Sequence, residues 1–366
     1  MKMIKEKGDG KMMTTRKEFL GGMIASAAAG CAGIPEAAAT RPAEGKFVWG
    51  DLLHLGMNMW CDWENREPLS YGWEETVIRW PSDKVRADLS VWKDWTDAMA
   101  RERLNLAVID LGEALVYPNH PELAAKGAFT PERMRKEIER LRALGIEAVP
   151  KLNFSGGHNR WLNEYRPLMG TERYRQICAE IIADVCEIFD RPRFFHIGYD
   201  EETAGHQSRF QHVIVRRGDV WWRDFLSVVD AVEKNGSRAW CFSDMIWHYR
   251  DEFLKRMPKS VVQCPWHYKP DEKHPEYVQS LEDMLSAGYE MIPDVGTFST
   301  KSQDAIGTGE GERLLKRFIN DYPRKQLLGF LLCSWARPVP YHRTKGLKSI
   351  EFFGDMKRRW EAVNPA

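Results

Sequence analysis

The sequence has no run of about 18 or more apolar residues, so a membrane-spanning helix is not expected. It has no surplus of charge of either sign. Lys and Arg total 53, and Asp and Glu total 53. That balance argues against a protein that coats nucleic acid or binds a membrane through a basic face. It has no H-x-x-x-H or H-x-H pair, so no metal is expected. The seven Cys fall at irregular spacing and outline neither a zinc site nor a disulfide framework. No Gly-rich phosphate turn follows the first apolar run, and "GTGEGE" at 307–312 is acidic and lacks the Lys of a phosphate loop. It reads instead as a flexible loop, and no cofactor is implied. What the sequence does have is Trp, 15 of them, in a globular background of 43% hydrophobic and 29% charged residues. Trp stacks well on flat apolar faces, sugar rings included.

Residues 1–39 have the order of a secretory signal peptide. A basic start is followed by the Ala- and Gly-rich "FLGGMIASAAAGCAG" and then by small residues at Ala37, Ala38 and Ala39. "TTRKEFL" is twin-arginine-like with Lys17 in place of the second Arg, which leaves the general secretory route open, and Cys31 is a candidate lipid-attachment site. The expected place is therefore periplasmic or extracellular.

After the signal, eight short apolar runs alternate with amphipathic stretches. The runs are 52–60, 105–111, 146–154, 193–201, 237–245, 260–267, 289–298 and 327–335. The clearest helix is 131–144, with Thr130 as N-cap, Pro131 in the first turn and Gly145 at the end. Stretches 174–189, 220–234 and 312–320 are similar. In the third helix, adjacent Trp221 and Trp222 predict that at most one faces the core. Alternation of strand and helix means a parallel sheet, and eight such units predict an α/β fold, a (β/α)8 TIM barrel, as one domain over 40–366. Cys178 and Cys186 share a helix and lie too far apart to bond each other.

In such a barrel chemistry sits at the C-terminal ends of the strands. Those ends offer Asp110 and Glu113, then Lys151, Asn153 and His158, then Tyr199, Asp200 and Glu201. They continue with Asp244 and Trp247, Trp266 and Tyr268, Asp294, and Trp335. Carboxylates beside aromatic platforms suit carbohydrate, because rings stack while acids move protons. An oligosaccharide or glycoconjugate is the expected partner, and no nucleic acid; the oligomeric state is not readable. His196, inside its strand, reads as a packing residue.

The segment "FFHIGYDEE", 194–202, resembles the His-x-Gly-x-Asp-Glu signature that ends strand four of glycoside hydrolase family 20, the β-N-acetylhexosaminidases. "GIEAVPKLNFSGGH", 145–158, is similar to that family's strand-three block, and "FSDMIW" and "LCSW" are weaker echoes. The resemblance implies an exo-acting, retaining, substrate-assisted mechanism. Glu201 is then the acid that protonates the leaving oxygen, the substrate's acetamido oxygen attacks the anomeric carbon, and Asp200 orients the acetamido group. His158 matches the motif's His. The implied substrate-binding set is His158, Tyr199, Asp110, Glu113, Asp244, Trp247, Trp266, Tyr268 and Trp335, with Tyr199 narrowing the pocket.

The sequence also departs from the family. Lys151 stands where the strand-three Glu is usual and Asn153 where Asp is usual. The first-strand Arg that grips sugar hydroxyls has no match, and the barrel follows the signal too closely for the small α/β domain that often precedes it. Two further readings follow. One is a glycosidase of another substrate class that pairs Asp200 or Glu201 with Glu113, Asp244 or Asp294; the other is an inactive glycan-binding barrel. One geometric condition applies to all of them. Adjacent residues of a regular strand face opposite ways, so Asp200 and Glu201 share a pocket only if the strand ends or bulges there.

Overall fold

The computed structural model describes residues 46–63, 77–268, 275–299 and 304–364. Residues 1–39, on which the export-signal and Cys31 expectations fall, lie outside the described residues. Eight parallel strands run β1 (Val48–His54), β2 (Leu106–Asp110), β3 (Glu147–Lys151), β4 (Phe194–His196), β5 (Arg238–Phe242), β6 (Val262–Cys264), β7 (Asp294–Gly296) and β8 (Gly329–Cys333). Their order, β6-β5-β4-β3-β2-β1-β8-β7, follows the sequence around a cylinder. The remaining seam, β6 to β7, is joined by backbone bonds from Gln263 N to Glu290 O (3.0 Å), Ile292 N to Gln263 O (2.9 Å) and Asp294 N to Pro265 O (2.9 Å). The fold is a (β/α)8 barrel.

β1 starts at Val48, four positions before the apolar run beginning at Leu52. The amide of Trp49 is held by Asn105 Oδ1 at 2.8 Å, which recruits the earlier residues into the sheet. Helices α1 (Leu89–Arg101), α2 (Pro131–Ala143), α3 (Glu172–Ile188) and α4 (Gly218–Lys234) form part of the outer layer. α1 begins on Asp88, whose carboxylate accepts from Ser90 N and Val91 N. α2 begins on Thr130 and is followed by Gly145 at φ +79°, a left-handed exit that Gly adopts without steric cost.

Both Trp221 and Trp222 are buried, contrary to the expectation of one. Trp221 stacks on Phe225 at 4.9 Å, and Trp222 lies edge-on to Trp221 at 4.7 Å. The second ring is covered by the guanidinium of Arg256, 5.1 Å away, from the short helix α5 (Arg250–Arg256). A neighbouring element thus supplies a second core face that sequence periodicity does not reveal. "GTGEGE" is also not a loose loop: α6 (Gly309–Asn320) begins inside it. Glu310 is buried and accepts from His267 N (2.8 Å) and Gly296 N (2.7 Å), bridging the ends of β6 and β7. The six described cysteines are free and buried. Among the described residues no helix is long and apolar enough to cross a membrane.

The lower barrel interior is apolar, built from Val48, Leu52, Val108, Val149, Phe194 and Leu331 among others. Above it, strand register aligns His54 with Asp110, Asp110 with Lys151, and Lys151 with His196. All four are at most 1% exposed. Lys151 Nζ donates to Asp110 Oδ2, and His54 Nδ1 lies 3.5 Å from the same oxygen. Burial opposes ionisation of Asp110, but the Lys151 ammonium and His54 outweigh it and hold the carboxyl below its usual range. Burial pushes His54 down to about 4 and His196 well below the ordinary imidazole value. His196 packs on Phe242 at 4.6 Å and Trp240 at 5.0 Å.

Removing one member of a buried ion pair strands the other charge. Lys151→Met should therefore lower unfolding stability by about 3–5 kcal/mol in urea titrations. Lys151→Met combined with Asp110→Leu should recover most of that loss. A single-variant loss below about 1 kcal/mol would show that the pair behaves as a solvated one.

Candidate functional site

The geometric condition on the acid pair is met by the backbone. β4 stops at His196, and the chain then turns through the left-handed region at Gly198 (φ +71°), Tyr199 (φ +69°) and Glu201 (φ +55°). Two non-glycine residues in that region are unusual, and such strain collects at functional sites. The turn is held from β3's loop by Asn153. Its Oδ1 accepts from Ser155 N (3.0 Å) and Tyr199 N (3.2 Å), and its Nδ2 donates to Asp200 Oδ1 at 2.6 Å. A Cβ on Gly198 would sit 2.2 Å from that Oδ1, so only Gly fits.

The turn brings Asp200 and Glu201 onto one imidazole. His158 Nδ1 lies 3.6 Å from Asp200 Oδ2, and His158 Nε2 lies 3.4 Å from Glu201 Oε2. The other Glu201 oxygen, Oε1, is 3.2 Å from His206 Nε2. The Glu201 amide donates to Asp244 Oδ2 at 2.9 Å, so β5's end fixes the backbone of the same residue. His158, Asp200 and Glu201 bring ligand-type atoms within 4.8 Å of one another, the only such group among the described residues. With Asn153 and His206 they form one polar cluster, joined by the Asn153–Asp200 hydrogen bond and by the imidazole–carboxylate contacts.

Charge follows from this packing. Burial opposes a charge on His158, but Asp200 and Glu201 outweigh it and raise the imidazole to about 9. Burial pushes the Glu201 carboxyl up, yet His158 and His206 pull it far below its usual range. Asp244 is pushed up to about 7 by burial and by Asp200 nearby. Asp294 is pushed up to about 8, first by burial, with Asp200 adding to the effect.

Aromatic rings form the opposite wall. Trp266 meets Trp247 at 4.6 Å and stacks with Tyr268 at 5.2 Å, 29° apart. Polar bonds fix the rings. Trp266 Nε1 donates to Asp244 Oδ1 at 3.3 Å, Trp335 Nε1 to the Tyr268 hydroxyl at 2.9 Å, and that hydroxyl to Asp294 Oδ2 at 2.6 Å. All four rings are half-buried. Asp244, Trp247, Trp266, Tyr268, Trp335 and His158 thus join the acid pair through one connected network.

Three expected rim residues are turned elsewhere. Tyr199 is 2% exposed. Its left-handed backbone points the ring outward, edge-on to Trp221 (5.5 Å) and Phe225 (4.9 Å) of α4. Glu113 shapes the loop after β1 instead, accepting from Met57 N (2.8 Å) and Asn58 N (2.9 Å). Asp110 lies one layer down, bound to Lys151, so that ammonium is neutralised below the rim. Sequence reasoning missed His206 altogether. The signal for it was Thr203-x-x-His206 directly after the acid pair, a spacing that closes a side-chain turn back toward Glu201.

No protein-family model matches the chain, and no curated protein matches it in sequence. Solved structures do match the fold. The Flavobacterium johnsoniae chitobiase is 17% identical with a TM-score of 0.51, over 76% of this chain and 50% of that one. The β-N-acetylhexosaminidase of Bacteroides fragilis is 14% identical with a TM-score of 0.54, over 87% and 71%. The Vibrio harveyi exo-β-N-acetylglucosaminidase, solved in complex with N-acetylglucosamine, is 12% identical with a TM-score of 0.54, over 87% and 58%. This chain therefore spans from half to about 71% of these structures' lengths. By fold the chain is a divergent barrel of the kind found in the family 20 β-N-acetylhexosaminidases.

Proposed function

We propose that the protein is an exported glycoside hydrolase that removes a terminal N-acetylhexosamine with retention, by substrate-assisted catalysis. The observation that carries the reading is the turn at Gly198–Glu201, which brings two adjacent carboxylates to one imidazole, His158, and is tied to Trp266 through Asp244. The domain assignment is residues 1–39 as the export signal and 40–366 as the barrel, with a periplasmic or extracellular destination. The fold likeness to hexosaminidases supports the sugar class.

In this mechanism Asp200, fixed by Asn153 Nδ2, accepts the acetamido N–H of the substrate and so orients the acetamido oxygen. That oxygen attacks the anomeric carbon while the bond to the leaving oxygen breaks. Asp200 then stabilises the positive charge spread over the oxazolinium ring. Glu201 protonates the leaving oxygen and afterwards takes a proton from the water that opens the ring. The nucleophile belongs to the substrate, so no particular spacing between two protein carboxylates is needed. Asp244 acts through the backbone of Glu201 and through Trp266. Trp247, Trp266 and Trp335 supply the stacking faces, with Tyr268 between them. His158 ties the two acids together. Asn153 does for Asp200 by hydrogen bonding what a carboxylate could not do without repulsion.

The test is a panel of nitrophenyl glycosides. The wild type should hydrolyse a β-N-acetylhexosaminide and lose most of its rate on the matching 2-hydroxy glycoside. Glu201→Gln should cost about 10²–10⁴-fold in kcat/KM with a natural-type leaving group, and Asp200→Asn should cost rate only on the acetamido substrate. Absence of turnover on every hexosaminide would overturn the assignment. Equal rates on acetamido and 2-hydroxy substrates would indicate a glycosidase that uses two of its own carboxylates.

Gly198 provides a structural check. Gly198→Ala places a methyl against Asn153 and strains a left-handed residue, so it should cost about 1–3 kcal/mol in stability. Its kcat/KM should fall well beyond what the change in folded fraction explains. Unchanged activity would mean that the turn does not set the acid pair.

A further inference from the structure

The Glu201 carboxylate is gripped on both oxygens, and one of the grips is solvent-facing. His158, on one side, is buried, with Ser155 Oγ 3.3 Å and Asp200 Oδ2 3.6 Å from its Nδ1. His206, on the other side, has 48% of its side chain exposed. Its ring is oriented by Thr203. The Thr203 hydroxyl accepts the His206 backbone N–H at 3.2 Å and lies 2.8 Å from His206 Nδ1. A hydroxyl oxygen has two acceptor positions. One takes the backbone N–H, and the other takes the Nδ1 hydrogen of the imidazolium. The second ring hydrogen is then on Nε2, facing Glu201 Oε1, and its loss leaves a neutral ring that keeps Nδ1–H on Thr203.

The position of His206 is fixed by its neighbour. Gln207, fully buried, donates from Nε2 to Ile214 O (2.7 Å) and accepts at Oε1 from Ile214 N (2.7 Å) and Arg166 Nη2 (2.9 Å). The loop after β3 interlocks here. A Cβ on Gly156 would sit 2.6 Å from Ile214 O, and one on Gly157 3.0 Å from Glu201 O. The buried Gln207 knot thus seats the backbone from which His206 reaches Glu201.

We propose that His206 and Glu201 share one proton across the 3.2 Å Nε2···Oε1 contact, with the exposed imidazole as its reservoir and Glu201 as the group that delivers it. His206 is a positioning residue. The consequence for turnover rests on the function proposed above. The proton passes from Nε2 to Oε1 and then to the leaving oxygen, which keeps the electron pair of the broken glycosidic bond. In the second half, the attacking water bonds to the anomeric carbon and returns its proton to Glu201 and so to His206. The charged and titratable groups around the pair are His158, Asp200 and Asp244, with His248 across the cleft. Glu201 raises the His206 imidazole above its ordinary value, first through the direct bond. His206 in turn lowers the proton affinity of His248, after burial.

The sign of the effect follows. A coupled pair loses its last proton at a higher pH than Glu201 would without the imidazole. The alkaline limb of kcat/KM should therefore move to lower pH in His206→Gln, by about half a pH unit or more. A fall in rate at all pH values without movement of that limb would overturn the proposal. A second readout needs no turnover. Imidazole titrations of the full chain, followed by NMR in wild type and Glu201→Gln with His206→Gln used to assign the signal, should show His206 titrating lower by about half a pH unit or more once the carboxylate is gone. An unchanged His206 titration would overturn the shared proton. Failure of every hexosaminide substrate, with that titration moved, would instead sink the functional reading and leave the shared proton standing.

Discussion

Side chains of neighbouring residues on a strand diverge, and the rim of this barrel depends on how the chain escapes that rule between Gly198 and Glu201. The escape has three supports. β4 is short and stops at His196. Gly198 lets the chain pass against Asn153 with no room for a Cβ. Asn153 and Asp244 then bind the turn's amides from the two flanking strands' loops. Without that turn, Asp200 and Glu201 would face opposite layers and the aromatic wall would enclose a single carboxylate.

The same turn explains Tyr199. Tyr199 is left-handed itself, and the aromatic shelf of Trp221 and Phe225 receives its ring. The ring that a linear reading assigns to the pocket is thus a peg that anchors the catalytic turn to the helix layer. Lys151 is a parallel case. Seen in sequence it puts a cation at the rim, but the register sets it opposite Asp110, one layer down, where two buried charges neutralise each other.

What the sequence revealed and what it concealed divide along physical lines. Strand–helix alternation, caps and Pro/Gly punctuation are local, and α2 with its Thr130 and Gly145 was legible almost to the residue. The Asp200–Glu201 motif and the Trp-bearing strand ends were legible because a barrel collects strand ends on one rim. Contacts between separate loops were not legible. Glu113 is consumed by two amides of the β1 loop, and Trp222 is covered by Arg256 from another helix. His206 lies beside Glu201 on a loop seated by the buried Gln207. The Glu113 and Trp222 pairings leave no periodic or spacing signature, and the His206 contact leaves only the local Thr203-x-x-His206 spacing.

The seam between β6 and β7 carries one more implication. Its backbone pairing is sparse, and buried Glu310 clasps the two strand ends by accepting from His267 and Gly296. Trp266 and Tyr268 of the stacking wall flank His267 in that clasp, and Asp294, which accepts from the Tyr268 hydroxyl, lies two residues before Gly296. The cylinder is therefore least continuous under the surface that would grip a sugar. Local opening of the fold and loosening of that grip are then one motion, and a ligand wedged against those rings would act as the missing rung of the sheet.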